Sequence, residues 1–289
     1  MKGIILTNAF WCNDDSLYQA RRLVDEFEKL DVQVEIKRND DFYIIIDKGI
    51  KNALGNYDFC IYLDKDNYVL KGLVESGTTV FNNYESIIKC DDKVLTLIEL
   101  AKEGIPVPKT IPSLLCYENK YQINDKIINK IENELGYPLV LKLNRGSLGA
   151  GVFLIEDRKQ LVEYVNKYKT QPHHYQRCIK DSVGIDVRVI VVGGEVIGGM
   201  ERKSKSGLVA NVARGGSAKK IDLSPKLKEY AKKIAKILNL DYCGIDFLYE
   251  NNSYVVIEVN SNAFFSEFEK VTGINVAQRY AQHVVKKLK

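Results

Sequence analysis

Two neighbouring stretches, Cys243-Gly-Ile-Asp246-Phe-Leu-Tyr249 and Tyr254-Val-Val-Ile-Glu258-Val-Asn260, constrain this chain more than any others. Both are rich in β-branched and aromatic residues, both alternate, and turn-like Asn251-Asn252-Ser253 lies between them, which is the pattern of a β-hairpin. A three-residue loop pairs Tyr249 with Val255, Phe247 with Ile257 and Ile245 with Val259, leaving one face wholly apolar. The same register sets Asp246 across from Glu258, with Asn260 two residues on and on the same face. Carboxylates directly opposite in a sheet repel each other unless a cation lies between them. Two carboxylates and an amide are hard oxygen donors of the kind that suit Mg²⁺, an ion that keeps waters and shares substrate phosphates. Taken alone, the pattern fits equally an ordinary hairpin with a solvated polar face.

The rest of the chain supplies the context. Gly3–Thr7, Val32–Ile36, Tyr57–Leu63 and Thr79–Phe81 read as strands, and Ser16–Leu30 carries apolar residues at helical spacing. Strands alternating with helical segments predict a small parallel α/β domain over residues 1–85. The turn after the first strand, Asn8-Ala9-Phe10-Trp11, lacks the glycine fingerprint of a dinucleotide site. Farther on, Asp91 or Asp92 caps a helix whose stripe is Val94, Leu97, Ile98 and Ala101. Lys93 falls in its first turn, where the helix dipole disfavours a cation, a hint that it meets an anion.

Leu139-Val-Leu-Lys142-Leu is an apolar strand with a lysine inside it, and lysines are almost never fully buried without a partner. The turn that follows, Arg145-Gly146-Ser147-Leu-Gly149-Ala-Gly151, offers backbone N–H groups that can approach phosphates closely. It is not a Walker loop, because no Gly-Lys-Ser/Thr follows and the next segment is a strand. A tight hairpin without a ligand would account for the glycines but not for Lys142. His173-His174 has no third ligand at metal spacing and reads as a solvated strand entrance. In Ile185–Val192, Asp186 and Arg188 share one strand face, opposite Val187, Val189 and Val191. The segment Lys203–Ser217 is rich in glycine, serine and basic residues. With Arg202 before it and Asn211 and Arg214 within it, it suits recognition of anions and amides and reads as a loop that closes over substrates.

From about residue 79 to the end the chain resembles the ATP-grasp superfamily, most closely its RimK-type amino-acid ligases. The carrying motifs are Asp92-Lys93, Pro138-Leu-Val-Leu-Lys142 with its glycine turn, Gly184-Ile-Asp186-Val-Arg188 and Glu201-Arg202. They continue with Asn211 ahead of Arg214-Gly-Gly, Gly244-Ile-Asp246, Ile257-Glu258-Val-Asn260 and Glu269-Lys-Val-Thr-Gly273-Ile-Asn. The resemblance implies an α/β fold of ATP-grasp type. A small parallel α/β domain is followed by two subdomains, residues 86–175 and 176–289, that clamp ATP between sheets. It places Lys93, Lys142, Ser147 and Gly149 at the phosphates, Gln176, Arg177, Cys178 and Ile179 at the adenine, and Asp186 at the ribose. Asn211 joins the nucleotide-binding set. Asp246, Glu258 and Asn260 hold two Mg²⁺ ions, or Mn²⁺ in their place, with Glu258 bridging. Arg188, Arg202 and Arg214 are the catalytic arginines, Arg188 stabilising the transferred phosphoryl group. The implied reaction phosphorylates a carboxylate and lets an amine, such as an amino acid or a group on a carrier protein or peptide, attack the acyl phosphate. Two departures from the family pattern stand out: Gln176-Arg177-Cys178 replaces Gln-Glu-Tyr at the adenine hinge, and Ser261-Asn262-Ala263 replaces Ala-Ser-Pro after Asn260. The second borders the acceptor side, so an acceptor other than glutamate is expected to be compatible.

Composition excludes other classes. The net charge of +4 comes from acidic and basic residues mixed along the chain, and no aromatic-interleaved basic patch marks a nucleic-acid partner. The six cysteines show neither close pairs nor metal spacing, as in a reducing compartment, and no apolar run reaches membrane length. The reading is a cytoplasmic enzyme, free to form a homo-oligomer, with no nucleic-acid or membrane partner. Two other functions use the same ATP apparatus: a kinase acting on a polyol, and a nucleotide-binding module without turnover.

Overall fold

The computed structural model describes residues 1–10, 14–146, 149–204 and 216–289. The chain opens with β1 (Lys2–Thr7), α1 (Asp14–Glu28), β2 (Gln33–Arg38), a small antiparallel hairpin of β3 (Ile44–Ile46) and β4 (Ile50–Asn52), β5 (Phe59–Tyr62), α2 (Asn67–Glu75) and β6 (Val80–Phe81). β2, β1, β5 and β6 form a parallel sheet in that order. Ile4, Ile5 and Leu6 of β1 and all of β5 are buried on both faces, as central parallel strands require. The chain runs from β1 outward to β2 and then back across β1 to β5. The crevice beyond the carboxyl ends of β1 and β5 is therefore the topological switch point. The β3–β4 hairpin is absent from the sequence reading. Ile45, Ile46 and Ile50 are exposed, so its apolar residues do not alternate with polar ones.

Helices α3 (Tyr84–Asp91) and α4 (Lys93–Lys102) follow; Asp92 caps α4 by accepting from the backbone N–H groups of Val94 and Leu95. The buried residues of α4 are Val94, Thr96, Leu97 and Leu100, whereas Ile98 and Ala101 of the expected stripe face solvent. Leu100 turns into the core under the later helix Pro225–Ile237, which rotates the buried face away from Ile98.

The second sheet has the antiparallel order β7 (Thr110–Pro112), β10 (His173–Arg177), β8 (Leu139–Leu143), β9 (Val152–Ile155), with α5 (Asp125–Leu135) and α6 (Arg158–Tyr168) between strands in the chain. The helices pack Ile128, Ile131, Leu161 and Val165 against Leu139, Leu141, Ile155 and Tyr175 on one face. Strand alternation turns Val140, Lys142, His174 and Gln176 to the other face.

The third sheet has the antiparallel order β13 (Ser217–Lys220), β12 (Glu195–Lys203), β11 (Ile185–Val192), β14 (Tyr242–Glu250), β15 (Ser253–Asn260). Helix α7 (Pro225–Ile237), capped by the Ser224 side chain with proline at its first position, covers Val187, Val189, Val191, Ile245 and Phe247 on one face. On the opposite face Ile190, Tyr242 and Met200 join a core with Phe27, Phe59 and Phe81 of the N-terminal domain and with α8 (Ser266–Thr272) and α9 (Val276–Leu288). Half of that face is thus covered, and the polar half carrying Asp186, Arg188 and Asp246 is left to form the wall of a cleft. Among the described residues no helix is long and apolar enough to cross a membrane, and Cys60, Cys90, Cys116, Cys178 and Cys243 are free thiols.

Candidate active site

The opening hairpin forms, with Asp246 opposite Glu258, Ile245 opposite Val259 and Gly244 opposite Asn260. Its far end differs from the sequence reading. The turn has two residues, Asn251 and Asn252 at φ 47° and 59°, and both left-handed values match a type I′ turn. Tyr249 therefore pairs with Tyr254 rather than Val255, and Phe247 with Val256 rather than Ile257. A bulge next to Asp246 absorbs the extra residue and restores the register at the carboxylates.

The polar face of the third sheet is laced by arginine forks. Arg188 donates Nε and Nη2 to the two Asp246 oxygens at 2.8 and 2.7 Å, and Arg202 does the same to Asp186 at 2.7 and 2.8 Å. Arg202 Nη2 also lies 3.0 Å from Asp246 Oδ2. Burial pushes both carboxyl groups up. Arg188 and Arg202 together reverse this at Asp246, whose pKa falls below the usual value. At Asp186 burial prevails over Arg202, with the neighbouring Asp246 charge adding to it, and the pKa is raised. Arg202, flanked by both carboxylates, is held protonated despite burial.

The second sheet supplies the facing wall. Lys142 Nζ, in a residue only 9% exposed, donates to Gln176 Oε1 at 2.7 Å. Burial lowers its pKa to about 8, opposed by Glu258 and assisted by Lys93. Lys93, at the start of α4, reaches across with Nζ 3.2 Å from Glu258 Oε1 and 2.9 Å from the Gly146 carbonyl. The cation in the first helical turn is thus compensated by a carboxylate on β15. Gly146 and Gly149 both have positive φ, so the turn depends on glycine there.

Lys93, Lys142, Gly149, Gln176, Arg177, Cys178, Ile179, Asp186, Arg188, Arg202, Asp246, Glu258 and Asn260, all singled out in the sequence, line one cavity of about 650 Å³. Arg177 turns its guanidinium to Glu250 of β14 at 2.6 Å, tying the end of the second sheet to the third. Ser147, Asn211 and Arg214, with most of the Lys203–Ser217 segment, lie outside the described residues.

Sequence reasoning missed two parts of this region. His173 and His174 are 2% and 1% exposed, so they are not a solvated strand entrance. They sit in β10, which is flanked by β7 and β8, and hydrogen bonds satisfy them: His173 to the Gln171 carbonyl and the Tyr175 hydroxyl, His174 to Asn144. The second omission is the switch point of the N-terminal sheet, where Asn8 and Asp64 line the same cavity. Asp64 accepts from Asn8 Nδ2, Asn39 Nδ2 (2.8 Å) and the Lys65 N–H (2.7 Å). A carboxylate directly after the apolar run Phe59–Leu63 was the available signal.

A cleft walled by lysines on one side and arginine-braced carboxylates on the other suits a polyanion carrying a hard cation. The sequence model of the RimK-like ATP-grasp domain matches residues 90–284. The chain belongs to the RimK-like ATP-grasp family. It is similar to N-acetylaspartylglutamate synthase A of Homo sapiens, with 36% identity over 225 residues, 77% of this chain and 56% of that protein. The chain therefore spans little more than half the length of that relative. A Marinomonas sp. protein named "Probable alpha-L-glutamate ligase" is 32% identical over 288 residues, 93% of this chain and 92% of its own. Among solved structures, a RimK domain ATP-grasp protein from Sphaerobacter thermophilus superimposes with a TM-score of 0.74 over 98% of this chain and 99% of its own, at 19% identity. That likeness concerns the ATP-grasp fold.

Proposed function

We propose that this RimK-like ATP-grasp protein is an ATP- and Mg²⁺-dependent ligase that joins a carboxylate to an amine through an acyl phosphate. The observation that carries the reading is the approach of Lys93 on α4 to Glu258 on β15 at 3.2 Å, beside Lys142, in a cleft bounded by two sheets. Relatives named as a synthase and as a ligase support it.

Lys93, Lys142 and the glycine turn, including Ser147 and Gly149, bind the phosphates of ATP. Gln176 to Ile179 border the base, Asp186 the ribose, and Asn211 contributes to the nucleotide site. The donor set fits Mg²⁺: Asp246, Glu258 and Asn260 offer hard oxygens on adjacent strands, and the buried Asn260 Nδ2 has no hydrogen-bond partner among the described residues. Rotating that amide by 180° puts its oxygen at the unsatisfied position. These residues would hold two Mg²⁺ ions, with Mn²⁺ an alternative, and the ions would neutralise charge on the phosphoryl group.

A carboxylate oxygen of the acid attacks the γ-phosphorus while the bond to the ADP oxygen breaks. The amine nitrogen then attacks the acyl carbon, phosphate departs with the carbon–oxygen bond pair, and the nitrogen loses a proton. Arg188 and Arg202 hold Asp246 and Asp186 in place and keep positive charge beside the transferred group, with Arg214 completing the set. The acceptor is an amino acid or an amine of a peptide or carrier protein.

Hydroxylamine trapping tests the reading. With ATP, Mg²⁺ and a panel of carboxylic acids, hydroxylamine is expected to intercept the acyl phosphate and give a hydroxamate. No hydroxamate from the acids, together with a phosphate ester formed when polyols are supplied in their place, would overturn it in favour of a kinase.

A further inference from the structure

We infer that His174 is a positioning residue of the nucleotide site, acting through Asn144 to fix the origin of the glycine turn and the backbone of Lys93. The inference rests on the nucleotide reading above and extends it to a side chain that touches no reacting atom. His174 stands opposite Lys142 in the β10–β8 register and is 1% exposed. Its Nδ1 lies 3.0 Å from Asn144 Oδ1. An amide oxygen only accepts, so Nδ1 carries the proton and donates.

Asn144, itself 9% exposed, uses its other groups to join separate elements. Its backbone N–H donates to the Pro172 carbonyl at 2.9 Å, just before β10, and its carbonyl accepts from the Lys93 N–H at 3.1 Å. Two residues later the Gly146 carbonyl accepts from Lys93 Nζ. Asn144 is thus a knot between the end of β8, the entry to β10 and the first residue of α4, and His174 is the side chain that orients it. Both anion-facing lysines depend on this knot, Lys93 through its backbone and Lys142 through the strand that ends there. Misplacing such groups by about 1 Å can cost about 10²-fold in rate. The ring does this without adding charge: burial, then Lys142 and Lys93, hold its pKa at about 3, so it stays neutral beside the two ammonium groups.

The experiment measures the MgATP dissociation constant of the full chain by calorimetry, with no acid or amine present. His174→Leu keeps the volume and removes the donor, and is expected to weaken binding by about tenfold, the worth of one hydrogen bond. His174→Asn places an amide N–H near the Nδ1 position and is expected to bind within about threefold of wild type, since most of that bond returns. Asn144→Ala should match His174→Leu, and the double variant should be no weaker than Asn144→Ala alone. Unchanged affinity in His174→Leu, an Asn variant as weak as the Leu variant, or additive losses would each overturn the inference. If His174→Leu fails to fold, His174→Asn and Asn144→Ala decide: near wild-type affinity in Asn144→Ala contradicts it. Failure of wild type to bind MgATP would overturn the nucleotide reading itself and this inference with it.

Discussion

An ammonium that is 9% exposed in an apolar strand is stable only if something compensates it, and the Gln176 amide does so only in part. The depressed pKa of Lys142, about 8, means that the unfolded chain holds this proton more tightly than the folded one. Its contribution to stability therefore rises with pH between about 8 and the ordinary lysine value of about 10.4. Phosphate binding favours the charged form, so MgATP affinity should be flat below pH 8 and fall above it. Lys142→Met should remove that pH dependence and lower turnover by roughly 10²-fold; calorimetry and steady-state rates from pH 7 to 9.5 check both. His174 predicts the acid side. Its folded pKa lies below its unfolded one, so stability falls as pH drops from about 6.5 towards 3, by up to about 1.4 kcal/mol per pH unit. His174→Asn should flatten that limb in urea unfolding at pH 4 to 7. Lys142 and Asp246 were legible in the sequence because charged residues interrupt apolar strands there. His174 was not, because its partner Asn144 lies 30 residues away and an isolated polar pair reads as solvated.

The strand pattern of the hairpin fixed which residues face the cleft, but not the full register. Alternation placed Asp246 and Glu258 on one face, and the three-residue loop set them opposite each other; that pairing holds because the bulge beside Asp246 offsets the shorter turn. The bulge and the two-residue turn depend on which asparagines adopt positive φ, and composition does not determine that. The glycine turn shows the same division: its existence was legible, its geometry was not. Gly151, at φ 79°, sits where a Cβ would come 2.8 Å from Leu143 side-chain carbons. Gly151→Ala should therefore cost about 1–2 kcal/mol from the left-handed backbone, plus the Leu143 clash, and weaken MgATP by shifting the turn. Gly77, at φ 92°, where an added Cβ would meet no atom of the described residues within 4 Å beyond its chain neighbours, is the control. Gly77→Ala should lose comparable backbone stability and leave MgATP affinity unchanged; denaturant midpoints and nucleotide titrations separate the two effects.

The alternation of strands and helices predicted a parallel α/β unit at the start of the chain, and that unit forms. Its docking was not legible. The N-terminal sheet shares a core with the third sheet through Phe59, Phe81, Tyr242 and Tyr280, residues far apart in the chain that any periodicity argument treats separately. Asn82 seals the junction, donating to the Tyr242 and Ser261 carbonyls and accepting from the Asp241 and Tyr242 N–H groups. This docking leaves Lys93, Lys142 and the Asp246–Glu258 pair around one cavity, so ligands that bridge them should stabilise the whole molecule. MgATP should raise the melting temperature of wild type, and Glu258→Gln should lose most of that increase; equal increases in both would remove Glu258 from the metal set. The claim that unites these parts is that a substrate carboxylate is activated as an acyl phosphate. The most direct measurement uses the acid found by hydroxamate trapping, labelled with ¹⁸O in its carboxylate and turned over with ATP and the amine. The account predicts one labelled oxygen in each phosphate released with the amide. Unlabelled phosphate, formed at the same rate as the amide, would contradict it.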